Sequence, residues 1–366
     1  MKVPFNYLPY EFENNDKIFI EWKKLIKSTD FTLGKFMQSF EDNFKNYVSA
    51  KYCFGTNNGT DALILSLKAV EIGEGDEVIT VCNSFYATAG AISAVGAKII
   101  FVDSDERFQI NISKLEEKIT NKTKAIIPVH WAGASPDMKK IMEIANKHEL
   151  HVIEDACMGI GAKLNDKSPG TFGIIGAYSM HPLKSLNVMG DGGMIVTNND
   201  KIADWVKRYR NHGMIDRDNI DFWGVNMRLQ PLQAIVANEG LKKLNEVIEE
   251  RNKNSKKLDK QLKKLYPKII IPDRYDDHIE TFALYMIQCE DRDNLIKYLN
   301  EYEIEVKVHY PIPLHLQSPS LKQGYKKGDF PIAENQALKL VSLPVHQYLQ
   351  VDQIDFMIEK IFDFYV

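Results

Sequence analysis

The feature that most constrains this chain is an alternation in its first half, where short β-branched and apolar runs are separated by amphipathic helical stretches. That rhythm folds as parallel strands joined by crossover helices, because a parallel pair needs a connection long enough to return to the same end of the sheet. Strands are expected at Glu77–Val81, Lys98–Val102, Ala125–Val129, His151–Glu154, Gly176–Ser179 and Met194–Thr197. Helical patterns lie at Asp61–Ala69, Ala87–Val95, Ile112–Ile119 and Met138–Lys147.

From about Pro231 the character changes. Leu232–Leu244 runs on into Glu246–Leu265, rich in Lys, Glu, Asn and Leu with no Gly after Gly240, and reads as a long connecting helix, continuous or broken once. Beyond it, Lys268–Pro272, Thr281–Cys289 and Glu303–His309 read as strands, and Arg292–Glu301, Ile332–Lys339 and Val351–Ile361 as helices. The division expected is a large α/β domain over 1–245, the placement of its N-terminal segment left open, and a smaller α+β domain over 246–366.

Charge and composition exclude several classes. Lys and Arg number 46 against 50 Asp and Glu, a formal charge of −4, which gives no overall attraction for nucleic acid or anionic lipid and leaves room only for a local anion site. No run approaches the ~18 to 20 apolar residues of a membrane span. Four cysteines stand apart without a CxxC pair, and Met1–Asn6 lacks a signal-peptide pattern, so reduced thiols in the cytoplasm are expected. No metal site is expected.

The chemistry concentrates between Val152 and Gly193. Val152-Ile153-Glu154-Asp155-Ala156 ends an apolar run in two carboxylates, at the end of a strand where open α/β sheets present functional groups. An acid there also caps helices, so position alone does not assign it. Tyr178-Ser179-Met180-His181-Pro182-Leu183-Lys184 precedes Gly190-Asp191-Gly192-Gly193. A lysine buried among apolar residues loses basicity and becomes nucleophilic toward an aldehyde. Earlier, Asn57-Asn58-Gly59-Thr60-Asp61 opens a helix whose free N–H groups, dipole and Thr60 hydroxyl suit a phosphate. Phosphate cradle, carboxylate and lysine are the three anchors of pyridoxal phosphate. Phe85, just past the Glu77–Val81 strand, supplies an aromatic ring for stacking.

These stretches, with Gly75-Asp76-Glu77-Val78-Ile79, Arg210-Asn211-His212-Gly213, Gly224-Val225-Asn226-Met227-Arg228, His309-Tyr310-Pro311 and Ser342-Leu343-Pro344, resemble the DegT/DnrJ/EryC1/StrS family of sugar aminotransferases over nearly the whole chain. The resemblance implies the type I fold of aspartate aminotransferase, a mostly parallel central sheet flanked by helices, and pyridoxal 5'-phosphate as cofactor. It implies that Lys184 is the catalytic residue, holding the cofactor as a Schiff base, that Asp155 pairs with the pyridinium nitrogen and that Phe85 stacks on the ring. Asn58, Gly59, Thr60 and Ser179 would hold the phosphate, with Asn226 from the other subunit of a homodimer whose sites are shared. His130, Tyr310 and His315 fall where the family faces its sugar, and Arg228 is a further candidate for substrate. Met158 departs from the pattern: the family usually has Gln or His there, touching the cofactor's phenolic oxygen, and a thioether accepts hydrogen bonds weakly.

The activity implied is transamination from an amino acid, L-glutamate, to a keto sugar, a nucleotide-linked keto-deoxyhexose, in amino-sugar biosynthesis for surface polysaccharide. A non-nucleotide acceptor such as an 8-oxo octulosonate or a sugar phosphate is the alternative. Two readings from other classes compete with it. A nicotinamide-dependent sugar oxidoreductase is disfavoured because Leu164 stands where Gly159-Ile160-Gly161 would need its third glycine. A cofactor-binding regulator is disfavoured by the lack of an added DNA-binding module.

Overall fold

The computed structural model describes residues 1–365. At its centre lies a seven-stranded sheet of Tyr52–Thr56 (β1), Glu77–Val81 (β2), Lys98–Val102 (β3), Thr123–Ile127 (β4), His151–Asp155 (β5), Ile175–Ser179 (β6) and Gly193–Thr197 (β7). Across the sheet they run β1, β7, β6, β5, β4, β2, β3. Strands β2 to β6 are mutually parallel and β7 is antiparallel to both β6 and β1, the mostly parallel α/β sheet expected. Every residue of β2, β6 and β7 is buried, as in a sheet covered by helices on both faces.

Because β7 reverses twice, β1 and β6 point the same way. The C-terminal ends of β1, β2, β5 and β6 therefore open on one edge, where the candidate site lies. The outer strand β3 is closed off by a single side chain: the Tyr325 hydroxyl donates to the Ile99 carbonyl at 3.0 Å and accepts from the Phe101 N–H at 3.2 Å.

The long connection is one unbroken helix, Pro231–Leu262, begun by a proline in its first turn and a Gln230/Gln233 capping box, and followed by a 3-10 turn at Lys263–Leu265. Its first half buries Ala234, Ala237, Leu244 and Ile248 with Phe40, Phe44 and Tyr178. Its last turns bury Leu258 and Leu262 in a second core with Tyr285, Leu295, Leu299, Ile304 and Met357. The boundary expected after residue 245 falls inside this helix. That second core lies on a three-stranded antiparallel sheet, Ile269–Ile270, Tyr285–Cys289 and Leu340–Leu343, and on the helices Arg292–Glu301 and Val351–Tyr365. Val3 is fully buried in it, exchanging backbone hydrogen bonds with Glu303 and Glu305 at 3.0 and 2.9 Å. The N-terminal segment thus packs with the C-terminal part of the chain.

Several elements differ from expectation for local reasons. Ile112–Ile119 forms two 3-10 turns, Ile112–Lys114 and Glu116–Lys118, because only Leu115 is fully buried and no continuous apolar stripe exists to hold an α-helix. Glu303–His309 makes isolated bridges to Val3 and Ser342 instead of a strand. Thr281–Leu284 stays out of the Tyr285–Cys289 strand because its amides and hydroxyl bond to the Ala132, Gly133 and Met158 carbonyls. Strand β1 carried no alternation. Its Gly55 is required because a Cβ there would stand 2.7 Å from Met37 Cε and 2.8 Å from Leu229 Cβ.

Candidate active site

A cavity of about 270 Å³ opens at the strand ends. Asn58, Gly59, Thr60, Phe85, Asp155, Met158, Ser179, Lys184 and Tyr310 all line it, so nine expected residues from distant parts of the sequence meet around one cavity.

The turn after β1 builds one side. Asn58 caps the helix Gly59–Ala69, its side chain accepting the Asp61 N–H at 2.8 Å. That leaves the earlier amides of the helix facing the cavity. Gly59 sits so close to its neighbours that a Cβ would come within 2.9 Å of both Cys157 Sγ and Ser179 Cβ. Main chain is therefore the surface this turn offers, as an anion cradle requires.

The two carboxylates ending β5 have separate tasks, because successive side chains of a strand point to opposite faces. Glu154 is fully buried and accepts from the amides of Gly170, Phe172 and Gly173 at 2.6 to 2.7 Å, with His130 Nε2 at 2.9 Å. It ties a loop to the sheet. Asp155 faces the cavity; its Oδ2 accepts from the Thr88 hydroxyl at 2.7 Å and its Oδ1 from the Cys157 N–H at 3.2 Å. Thr88 is in turn bonded to Ser84 at 2.8 Å.

Lys184 follows β6 on an irregular turn in which Leu183 has φ +74° and the Lys184 N–H donates to the His181 carbonyl at 3.0 Å. Burial pulls its ammonium below the usual lysine range, with the Asp155 charge opposing. Across the cavity Phe85 and Tyr86, both half-exposed, meet the Tyr310 ring at 6.0 and 5.4 Å, with Trp131 behind it at 5.8 Å. Burial pushes the Tyr310 phenol up to about 12. His309 is anchored by Ser342 Oγ at 2.9 Å, and burial together with the Lys184 and Lys307 charges brings it down to about 4.

Two expectations are corrected. His130 has no exposed surface and is used up between Ser135 Oγ at 3.0 Å and Glu154. His315 is equally buried, bonded to Glu334 at 3.0 Å and packed edge-on to Phe330 at 4.7 Å. Neither faces the cavity. Asn226 and Arg228 also lie outside the cavity of their own chain, bonded to each other at 2.9 Å, with Arg228 reaching Asn211 at 2.7 Å. Residues that sequence reasoning left without a role are Thr88, Trp131 and Tyr7. Thr88 stands one helical turn after Phe85, a spacing that could have found it; Tyr7 had no such signal.

The donor set fits pyridoxal phosphate: an amine, a carboxylate held by two donors, a half-exposed ring and a glycine cradle at a helix start, all on one cavity.

The model of the DegT/DnrJ/EryC1/StrS aminotransferase family matches residues 13–362. The chain is 38% identical to a protein of Geobacillus stearothermophilus named pleiotropic regulatory protein, over all of this chain and 99% of that one. It is 36% identical to the UDP-N-acetyl-3-dehydro-alpha-D-glucosamine 3-aminotransferase of Acidithiobacillus ferrooxidans, over 93% and 91% of the two chains. Among solved structures, DesV of S. venezuelae in complex with a ketimine intermediate superposes with a TM-score of 0.96 at 31% identity, covering all of this chain and 98% of that one.

Proposed function

Because this chain belongs to the DegT/DnrJ/EryC1/StrS aminotransferase family, we propose that it is a pyridoxal phosphate-dependent transaminase moving an amino group from L-glutamate to a nucleotide-linked keto-deoxyhexose. The observation that carries the reading is the meeting of the Lys184 amine and the Thr88-braced Asp155 carboxylate on one cavity beside the Gly59–Ala69 helix start. Bound pyridoxal phosphate supplies the aldehyde and the electron-accepting ring. Asn58, Gly59, Thr60 and Ser179 hold the phosphate. Asp155 keeps the ring nitrogen protonated and Phe85 covers the ring face, while Met158 offers little to the phenolic oxygen. The Lys184 amine, its basicity lowered by burial, would take the proton from the donor carbon and hold it for return, as general acid and base. Tyr310, on the aromatic wall with Phe85 and Tyr86, is suited to the sugar ring.

The acceptor class is supported by the UDP-sugar named for the Acidithiobacillus relative. We place the product in amino-sugar synthesis for surface polysaccharide, in the cytoplasm; among the described residues no helix is long and apolar enough to cross a membrane. Asn226 and Arg228 serve the site of a second copy. Support for a homodimer is the loop leading to them, where Trp223 is 89% exposed and Ile215 and Ile220 also stand in solvent, apolar surface that a partner would cover. The division into units of 1–245 and 246–366 is proposed with the Pro231–Leu262 helix shared between them.

The test is a colour cycle. Purified holoenzyme should be yellow, bleach with L-glutamate, and recover with a keto sugar from a panel of dTDP-, UDP- and GDP-linked substrates run beside an 8-oxo octulosonate and keto-sugar phosphates. Recovery with only the last two groups would move the acceptor to a non-nucleotide sugar. Failure to bleach with any amino acid would remove the transaminase reading and favour a regulator that merely holds the cofactor; the Geobacillus relative is named a regulatory protein.

A further inference from the structure

Tyr7 comes from the far end of the chain, yet its hydroxyl donates to the Lys184 carbonyl at 2.7 Å. It is 4% exposed and lines the same cavity. Lys184 lies in neither a helix nor a strand, so its carbonyl has no ladder to join, and Tyr7 is its donor. Beneath the phenol ring lies Arg251 of the Pro231–Leu262 helix, its guanidinium carbon 5.2 Å from the ring centre. Arg251 is 1% exposed; the carboxylate near it is Glu11, which accepts from the Gln347 side chain at 2.9 Å and feels the Arg251 charge. Arg251 Nε donates to the same Gln347 side chain at 3.0 Å and its Nη1 to the Phe282 carbonyl at 3.4 Å, while Nη2 is sealed from solvent without a partner. An atom so enclosed cannot receive a ligand. The guanidinium packs against the Tyr7 ring, and its charge opposes the upward push that burial gives the Tyr7 phenol.

The segment carrying Tyr7 is held by the C-terminal part of the chain. The Pro4 carbonyl accepts from His346 at 3.0 Å, the Phe5 N–H donates to Glu305 at 2.9 Å, and the Phe5 ring stacks on His309 at 5.8 Å. Tyr7 is thus where this part of the molecule touches the main chain of the reacting loop.

We infer that Tyr7 is a positioning residue for Lys184: its phenol, steered by the Arg251 guanidinium beneath it, fixes the turn that aims the amine. This rests on the reading of Lys184 as the reacting amine. Small displacements of a reacting group cost rate far more than they cost binding. Phe at position 7 keeps the ring and its packing and removes only the hydroxyl, and Met at position 251 keeps length and removes the charge.

The experiment compares holoenzyme of wild type, Tyr7→Phe, Arg251→Met, Arg251→Lys and the double variant Tyr7→Phe/Arg251→Met. Bleaching by L-glutamate is followed by stopped flow, and the visible cofactor band is titrated against pH. The limiting bleaching rate of Tyr7→Phe should fall about tenfold with half-saturation by glutamate within about twofold, and the midpoint of the band titration should move. Arg251→Met should do the same, Arg251→Lys should restore the wild-type midpoint, and the double variant should be no worse than either single one, since both act through one contact. A wild-type rate and midpoint in Tyr7→Phe would overturn the inference, as would effects that multiply in the double variant. If Tyr7→Phe does not accumulate as folded protein, the Arg251 pair decides: equal behaviour of Met and Lys at 251 refutes the steering role. Wild type that never bleaches would instead sink the transaminase reading itself.

Discussion

Replacing Gly59 with Ala puts a methyl group where the structure leaves none of the space it needs. The new Cβ would stand 2.9 Å from Cys157 Sγ and from Ser179 Cβ, whereas carbon atoms rest at about 3.5–4.0 Å. Ser179 ends β6, and its register partner Gly193 also faces Thr56 of β1, so that side cannot yield; the helix start has to move by roughly half an ångström or more. Overpacking of this kind costs about 1–3 kcal/mol. Here the displaced atoms are the amides that would meet the phosphate, so the loss should appear in phosphate recognition, about 10- to 100-fold in affinity. The assay avoids the covalent bond by comparing pyridoxamine 5'-phosphate with pyridoxamine, calorimetrically, in both proteins. The ratio of the two dissociation constants isolates the phosphate, and it should shrink by that factor in Gly59→Ala. Gly90→Ala is the control: its Cβ meets nothing within 4 Å in the helix Tyr86–Ala94, so it should leave the ratio alone and stabilise by up to about 1 kcal/mol. A ratio unchanged in Gly59→Ala would refute the cradle.

Lys184→Ala should abolish turnover while the protein still binds pyridoxamine 5'-phosphate; full activity in steady-state assays would sink the assignment. Thr88→Val removes the 2.7 Å hydrogen bond to Asp155 in an isosteric change, and loss of a charge-assisted bond of about 1.5–3 kcal/mol should lower kcat/KM for glutamate by 10- to 100-fold with little change in Tm. His346 is brought down to about 4 by burial, so between pH 4 and 6.5 the unfolded chain holds more of its proton than the folded one, and stability should fall as pH drops through that window, by up to about 1.4 kcal/mol per unit. His346→Gln should flatten this part of the Tm-against-pH curve, and parallel curves would count against it. Mixing Lys184→Ala with Asn226→Ala protein should regain activity through hybrid dimers carrying one intact site; no recovery after subunit exchange would argue against shared sites.

Much of the fold was legible because it rests on local periodicity. Buried strands such as Glu77–Val81 and Lys98–Val102 announce themselves by β-branched runs, and the glycine-rich helix start by its turn residues. Pairing partners are not local, which is why Tyr52–Thr56 and Leu340–Leu343 went unread: one is interrupted by a glycine needed for close packing, the other is four residues against a helix end. At the site, residue types and order pointed to the Asn58–Thr60 turn, Asp155 and Lys184, and the family resemblance added Ser179. They could not tell a histidine that faces a cavity from one that braces a loop. His130 and His315 braced, because each had a carboxylate, Glu154 or Glu334, arriving from elsewhere in the chain. Tyr7 lies 177 positions from Lys184, and only the folded N-terminal segment brings them together.

The Pro231–Leu262 helix is a rod of about 48 Å, and both of its ends are roofed by different cores. Neither core can melt without stripping one end of the rod, and a half-stripped helix of this length, rich in Lys, Glu and Asn, has little to hold it together in water. The seam between the two parts is thus also the element that makes them one cooperative unit: heating should give a single calorimetric transition whose calorimetric and van't Hoff enthalpies agree. The chain cut at residue 245 should yield two fragments that refold only when mixed.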